Sequence, residues 1–211
     1  THMVLYIPIN QIFYLNILFD CSIIHFMIFP QIIGISGYAR VGKDSFGKML
    51  SQELSVEYNK YSKRLSLAYE LKKDLDTFLL KKFNISAFTE NSEEKKFIRP
   101  LLICYGTSLM RKKDPDCWIN KLQKTIDINN SSGIISLVCD IRFENEADWI
   151  HKNNGVLINL ERFGTEPADE NEKFNGPILE SKSDLNVDWE HVENLHSLKP
   201  KIKQILKTIL K

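Results

Sequence analysis

The chain has 211 residues, enough for one sizeable α/β domain with a real hydrophobic core. Its 28 Lys and Arg stand against 27 Asp and Glu, a net charge of +1, so no field that would draw nucleic acid or a membrane surface is implied. Cys21, Cys104, Cys117 and Cys139 are scattered, with no C-x-x-C pair and no histidine at metal spacing, which predicts buried, reduced thiols in a cytoplasmic protein.

Thr1-His2-Met3 reads as a cloning remnant. Residues 4–29 then run apolar with a single formal charge, Asp20. The run is long enough to cross a bilayer, which takes roughly 20 apolar residues. It is interrupted by Pro8, Asn10, Gln11, Asn16, Asp20 and His25, and no Lys or Arg flanks it to set an orientation. It also lacks the basic start and small-residue cleavage site of a secretory signal. A membrane span is therefore disfavoured, and two accounts stay open. Either the run packs over an apolar surface, including one on a partner subunit, or Met27 is the natural start. Residues 1–30 are set apart as an N-terminal extension, and 31–211 as the working domain.

Residues 31–36 (QIIGIS) form a short apolar run that ends in a turn signal, the pattern of a buried strand. Gly37 to Ser45 follow, and Phe46, Met49, Leu50 and Leu54 then recur at helical spacing. Residues 56–62 are predicted as a second strand and 65–83 as an amphipathic helix. After a polar stretch at 84–96, residues 97–111 are predicted helical with Pro100 in the first turn. Asp114-Pro115 suits the cap of the next helix, on which Trp118, Leu122 and Ile126 share a face. The continuous apolar run at 133–140, closed by Asp140, is the clearest central strand. A helix over 143–154 and a strand over 155–162 follow. Residues 163–185 are polar and contain Gly and Pro, and they are predicted to be a long loop serving as a lid. A strand near 190–194 and a helix over 198–211 close the chain. Strands alternating with helices predict a doubly wound parallel sheet, with ligands beyond the C-terminal strand ends.

Gly37, Tyr38, Ala39, Arg40, Val41, Gly42, Lys43, Asp44 and Ser45 nearly match the phosphate-loop spacing, Gly, four residues, Gly, Lys, then Ser or Thr. Asp44 stands where the hydroxyl residue belongs, and Ser45 comes one step late. The two glycines let successive N–H groups curl inward ahead of a helix N-terminus, and Lys43 supplies a point charge for the β and γ phosphates. The Asp44 carboxylate suits Mg²⁺, directly or through water, or orients Lys43, and Ser45 keeps part of the metal or phosphate role. Asp140 fits the acid that holds Mg²⁺ through water, with a helix cap near Phe143 as the other account. Arg142 is placed to stabilise a phosphoryl group in transfer, or else pairs with Glu144 or Glu146.

With these residues in view, the chain resembles the deoxynucleoside monophosphate kinases of bacteriophages and their bacterial relatives. Their loop ends Gly-Lys-Asp-Ser/Thr, and their Asp-x-Arg-Phe-x-Asn-Glu-Ala segment matches Asp140, Arg142, Phe143, Asn145, Glu146 and Ala147. Between the two, Arg99, Leu101, Leu102, Gly106, Thr107, Arg111, Asp114 or Asp116, and Trp118 follow the family's order. The resemblance runs from Ile32 to the C-terminus. It implies a P-loop kinase fold that moves the γ-phosphate of ATP to a deoxynucleoside monophosphate with Mg²⁺, in a cytoplasm (the host's, for a viral protein), and as a homodimer. Lys43, Asp44 and Arg142 would be catalytic, with Ser45, Asp44 and Asp140 near the metal. Arg99, Thr107, Arg111 and Trp118 would bind the acceptor, although Trp118 is equally placed for a core. Arg162 would close with the lid over ATP, or else is a plain surface arginine. The chain departs from the family at Leu179 and Lys182, where His and Glu are expected, while Ser181, Val192 and Asn194 are kept. Other readings stay open: transfer to another small acceptor, a decayed nucleotide-binding module docked through its N-terminus, or a membrane-tethered protein.

Overall fold

Ile32, Ile33 and Ile35 cannot be solvated on either side of their strand, and the computed structural model, which describes residues 29–192 and 194–210, places them at the centre of the sheet. Strand β1 (Ile32–Ser36) lies between β3 (Ile135–Val138) and β4 (Val156–Glu161); Ile33 faces Leu137 on one side and Val156 on the other. Strand β2 (Ser62–Leu65) flanks β3 and β5 (Leu185–Asp188) flanks β4, giving five parallel strands in the order β2-β3-β1-β4-β5.

Helices α1 (Lys43–Tyr58) and α7 (Lys199–Ile209) cover one face. Phe46, Leu50 and Leu54 meet Ile202, Ile205 and Leu206 there, over Ile33, Ile35, Leu137 and Ile158. The opposite face carries α4 (Cys117–Ser131) and α5 (Glu144–Lys152), with Trp118, Leu122, Ile126 and Ile150 over Ile32, Val138 and Leu157. Helices α2 (Leu67–Phe83) and α3 (Ser92–Ile103) form an arm with its own small core, Leu79, Ala87 and Ile98. The doubly wound α/β sheet predicted from the alternation is therefore present.

Four boundaries differ from the sequence expectations. Helix α1 continues through Val56 to Tyr58, ends at a left-handed Asn59, and pushes β2 to the polar segment 62–65. Helix α3 starts at Ser92, because Asn91 accepts from the amides of Glu93 and Glu94, so Pro100 sits well inside it; the chain then continues as a π-helical stretch, Cys104–Arg111. Residues 170–182 of the expected loop are helical (α6, Glu170–Lys182), started by Asp169 accepting from the Glu172 amide. The last strand is 185–188, ahead of the expected position. Cys104 is exposed while Cys117 and Cys139 are buried, which corrects the expectation of uniformly buried thiols; Cys21 and the extension up to residue 28 lie outside the described residues. Among the described residues no helix is long and apolar enough to cross a membrane.

Candidate active site

Parallel pairing brings the C-terminal ends of β1, β3 and β4 to one edge of the sheet, and the residues after each strand meet there. The loop after β1 turns at Gly37 (φ 129°) and leaves at Gly42 (φ 104°), both in backbone conformations that an L side chain resists. Space is as restrictive as conformation. A Cβ on Gly37 would lie 2.4 Å from the Leu160 carbonyl oxygen, and one on Gly42 would lie 2.7 Å from Arg162 Nη2 and 2.8 Å from Trp189 Cδ1. Arg40 also has a positive φ, 67°.

Lys43, the first residue of α1, turns back over the loop and donates to the carbonyls of Gly37 (2.6 Å) and Tyr38 (2.7 Å). Burial, then the nearby Arg142 guanidinium, lower its pKa to about 8, against the pull of Glu172, Asp140 and Asp44. Ser45 Oγ donates to the Gly42 carbonyl at 2.8 Å and accepts from the Trp189 indole N–H at 3.4 Å. Asp44 is exposed beside them, and its backbone carbonyl accepts from Arg64 (3.3 Å).

Asp140, at the end of β3, caps α2 rather than the helix after it. Its Oδ1 accepts from the Leu67 amide (2.9 Å), and Oδ2 accepts from Ser66 Oγ (2.7 Å) and the Ala68 amide (2.8 Å). Arg142 is exposed on the same edge and has no ion-pair partner among the described residues, so the alternative pairing with Glu144 or Glu146 is not formed. Glu146 is instead fully buried; Oε2 takes the amides of Arg142 (2.6 Å) and Phe143 (3.0 Å), and Oε1 pairs with Arg111. Burial pushes the Glu146 carboxyl up, opposed by the Arg111 guanidinium and the Arg142 amide. The Arg111 guanidinium also lies 4.1 Å from the Phe143 ring centre. Arg111 is thereby committed to the protein, where the sequence suggested an acceptor clamp. Trp118 is 1 % exposed and its indole N–H donates to the Gly106 carbonyl (3.2 Å), so the base-stacking expectation gives way to a core role. Thr107 lies half-buried on the π-helical stretch, and Arg99, half-exposed, reaches Asp169 of the α6 cap at 3.5 Å.

Arg162, after β4, is no free surface arginine. Its Nε donates to the Trp189 carbonyl (3.0 Å) and its Nη1 to the Arg40 carbonyl (3.2 Å), clasping the phosphate-type loop from outside. Helix α6 lies across the mouth. A Cβ on Gly176 would sit 2.5 Å from the Tyr38 ring, and Glu172 Oε2 accepts from the amide of Ala39 (3.0 Å) and of Ala168 (3.0 Å). At the other end of α6, Lys182 pairs with Asp148 (2.6 Å) and Glu144 (2.9 Å) of α5, so this departure from the resembled pattern is a structural clamp. Leu179, the other departure, is buried between α6 and the sheet. Between loop, strand ends and α6 lies a cleft of about 430 Å³ lined by Gly37, Tyr38, Arg142, Arg162, Glu172 and Asn175, among others. Glu172 and Trp189 were missed in the sequence and carried no local signal; Glu146 was named there as a pairing candidate for Arg142, whereas its guanidinium partner is Arg111.

No protein-family model matches the chain, and no curated protein matches it. Among solved structures it is similar to a shikimate kinase from Bacteroides thetaiotaomicron, at 9 % identity and TM-score 0.46 over 84 % of this chain and 97 % of that one. It is similar also to the Acinetobacter baumannii shikimate kinase in complex with shikimate (11 %, 0.42, covering 85 % and 93 %). A third is the Mycobacterium tuberculosis APS kinase in complex with AMPPNP and APS (11 %, 0.40, covering 84 % and 98 %). Likeness of this degree adds nothing to the site geometry above.

Proposed function

We propose that the protein is a kinase that moves the γ-phosphate of ATP to a deoxynucleoside monophosphate, yielding the diphosphate and ADP. The observation that carries this reading is Lys43 folded over the Gly37–Gly42 loop at the start of α1 and close to Arg142, which lines the cleft beside Gly37 and Tyr38 and has no ion-pair partner among the described residues. Two neighbouring cations at a glycine-bounded loop suit a transfer that needs positioning and charge neutralisation more than covalent chemistry. Lys43 follows the β and γ phosphates, Arg142 stabilises the phosphoryl group between donor and acceptor, and Arg162 keeps the loop in shape. The deoxynucleotide acceptor rests on the resemblance of the Gly-Lys-Asp-Ser and Asp-x-Arg-Phe-x-Asn-Glu-Ala segments.

The donor set fits Mg²⁺ that arrives with the nucleotide and keeps most of its water. Asp44 offers an exposed carboxylate, Ser45 a hydroxyl, and Asp140 Oδ1 a remaining lone pair, while no group of three or more acidic, His or Cys ligands occurs among the described residues. When bound, the ion would neutralise charge on the β and γ phosphates. The test is ADP release from Mg·ATP with each deoxy- and ribonucleoside monophosphate, beside Lys43→Ala and Arg142→Ala. Turnover with deoxynucleotides that both variants lose supports the reading. ATP binding without turnover of any monophosphate overturns the acceptor and moves the search to other small acceptors.

A further inference from the structure

A loop that binds phosphate does so through its backbone amides, and one of these amides already holds an anion supplied by the chain. Ala39, third residue of the loop, donates its N–H to the Glu172 carboxylate at 3.0 Å, across 133 residues of sequence. Capping of α6 does not require this bond. The helix start is satisfied by Asp169 accepting from the Glu172 amide (3.0 Å) and by Glu172 accepting from the Ala168 amide (3.0 Å). Nor is Glu172 held by a salt bridge among the described residues, although it lies close enough to Lys43 to favour the charged form of the lysine. The contact is backed by shape, since Gly176 leaves just the room that the Tyr38 ring occupies.

We propose that Glu172 is a specificity-determining residue that competes with phosphate for the loop, so that only a ligand carrying enough phosphate charge to displace it is bound. This rests on the nucleotide reading of the site. The mechanics follow from how α6 is attached. Its C-terminal end is fixed to α5 by Lys182 with Glu144 and Asp148, whereas its N-terminal end is held by Glu172 on the loop and by the long Arg99–Asp169 pair. Displacing the Glu172 carboxylate therefore leaves only the long Arg99–Asp169 pair among these attachments at the N-terminal end of the helix. Apparent affinity for any phosphate ligand falls by the fraction of molecules in which the Ala39 amide is free.

The experiment is calorimetric titration of the full chain, Glu172→Gln and Glu172→Ala with Mg·ATP, inorganic pyrophosphate and adenosine. Glutamine keeps an oxygen for both the helix cap and the Ala39 amide but removes the negative charge, so it decides the matter if the alanine variant does not fold. Removing the carboxylate charge from the Ala39 hydrogen bond at a part-exposed position should tighten Mg·ATP and pyrophosphate about 5- to 10-fold and leave adenosine unchanged. Equal or weaker binding of both phosphate ligands, as expected of a mere helix cap, overturns the inference while leaving the kinase reading intact. An equal gain for adenosine also overturns it, because Glu172 would then act on cleft opening in general. If neither the wild type nor the variants bind ATP or pyrophosphate, the nucleotide reading falls and this inference with it.

Discussion

Replacing Lys43 by methionine should stabilise the fold while abolishing phosphoryl transfer. The ammonium is held at a pKa of about 8 instead of 10.5, first because burial strips it of water and then because Arg142 repels it. At about 1.36 kcal/mol per pH unit this corresponds to roughly 3 kcal/mol of strain in the charged form, a ceiling because solvent reaches the cleft and screens it. Methionine removes that cost but forfeits the bonds to the Gly37 and Tyr38 carbonyls, about 1 kcal/mol each. The net gain is about 1 kcal/mol near neutral pH, or a Tm higher by roughly 2–4 °C. The sign of the pH dependence is fixed. Because the folded pKa lies below the unfolded one, the unfolded chain binds the extra proton between about pH 8 and 10.5, and wild-type stability from this group rises across that window. The advantage of Lys43→Met is therefore full below pH 8 and shrinks above it. Urea unfolding of both proteins at pH 7 and pH 9.5 measures this. A difference that does not change with pH, or a variant less stable than the wild type by more than about 1 kcal/mol, would refute the reasoning.

Arg142→Ala should lower kcat/KM by about 10²- to 10³-fold with an unchanged melting temperature, since the side chain is exposed and has no ion-pair partner among the described residues; steady-state kinetics beside calorimetry checks both halves. Glu146→Ala should cost about 3–5 kcal/mol in urea unfolding, because it strands the largely buried Arg111 guanidinium and two backbone amides. Gly37→Ala should be more damaging than Gly42→Ala in both stability and ATP affinity. The first Cβ meets a backbone carbonyl at 2.4 Å, whereas the second meets side-chain atoms no nearer than 2.7 Å.

What the sequence revealed was whatever rests on local pattern. Strands β1, β3 and β4 are apolar runs at the sheet centre, and the loop after β1 needs glycine at fixed places, so both could be read from residue order. Strand β2 (Ser-Lys-Arg-Leu) is an edge strand with two exposed side chains, and it carries no apolar signature. Val56 and Tyr58 look like strand residues, yet α1 extends through them until Asn59 closes it. Helix α6 was hidden by Gly176 and Pro177; only Asn175 and Leu179 among its residues are buried, too few for a visible periodicity. In the site, Lys43, Arg142 and Arg162 come after strand ends, so their gathering at one edge of the sheet was legible from residue order. Trp118 shows the opposite case, since an aromatic residue on an apolar helix face satisfied the core before any ligand. Glu172 could not be found at all, because its partner Ala39 is distant in sequence and contributes only a backbone amide.

The strand order also governs how the molecule must assemble on the ribosome. Strand β1 is made first yet sits in the middle, and both of its neighbours lie about a hundred residues or more downstream. Asp140, which caps α2, and Leu160, whose carbonyl abuts Gly37, also emerge late. A nascent chain that ends before β3 therefore exposes Ile32, Ile33 and Ile35 with no strand to pair them, and its glycine loop has no floor. Such long-range closure slows folding and leaves early chains prone to association. The loop written nearest the start of the domain is thus among the last parts to take shape, and a chain cut off ahead of β4 should emerge without a formed glycine loop.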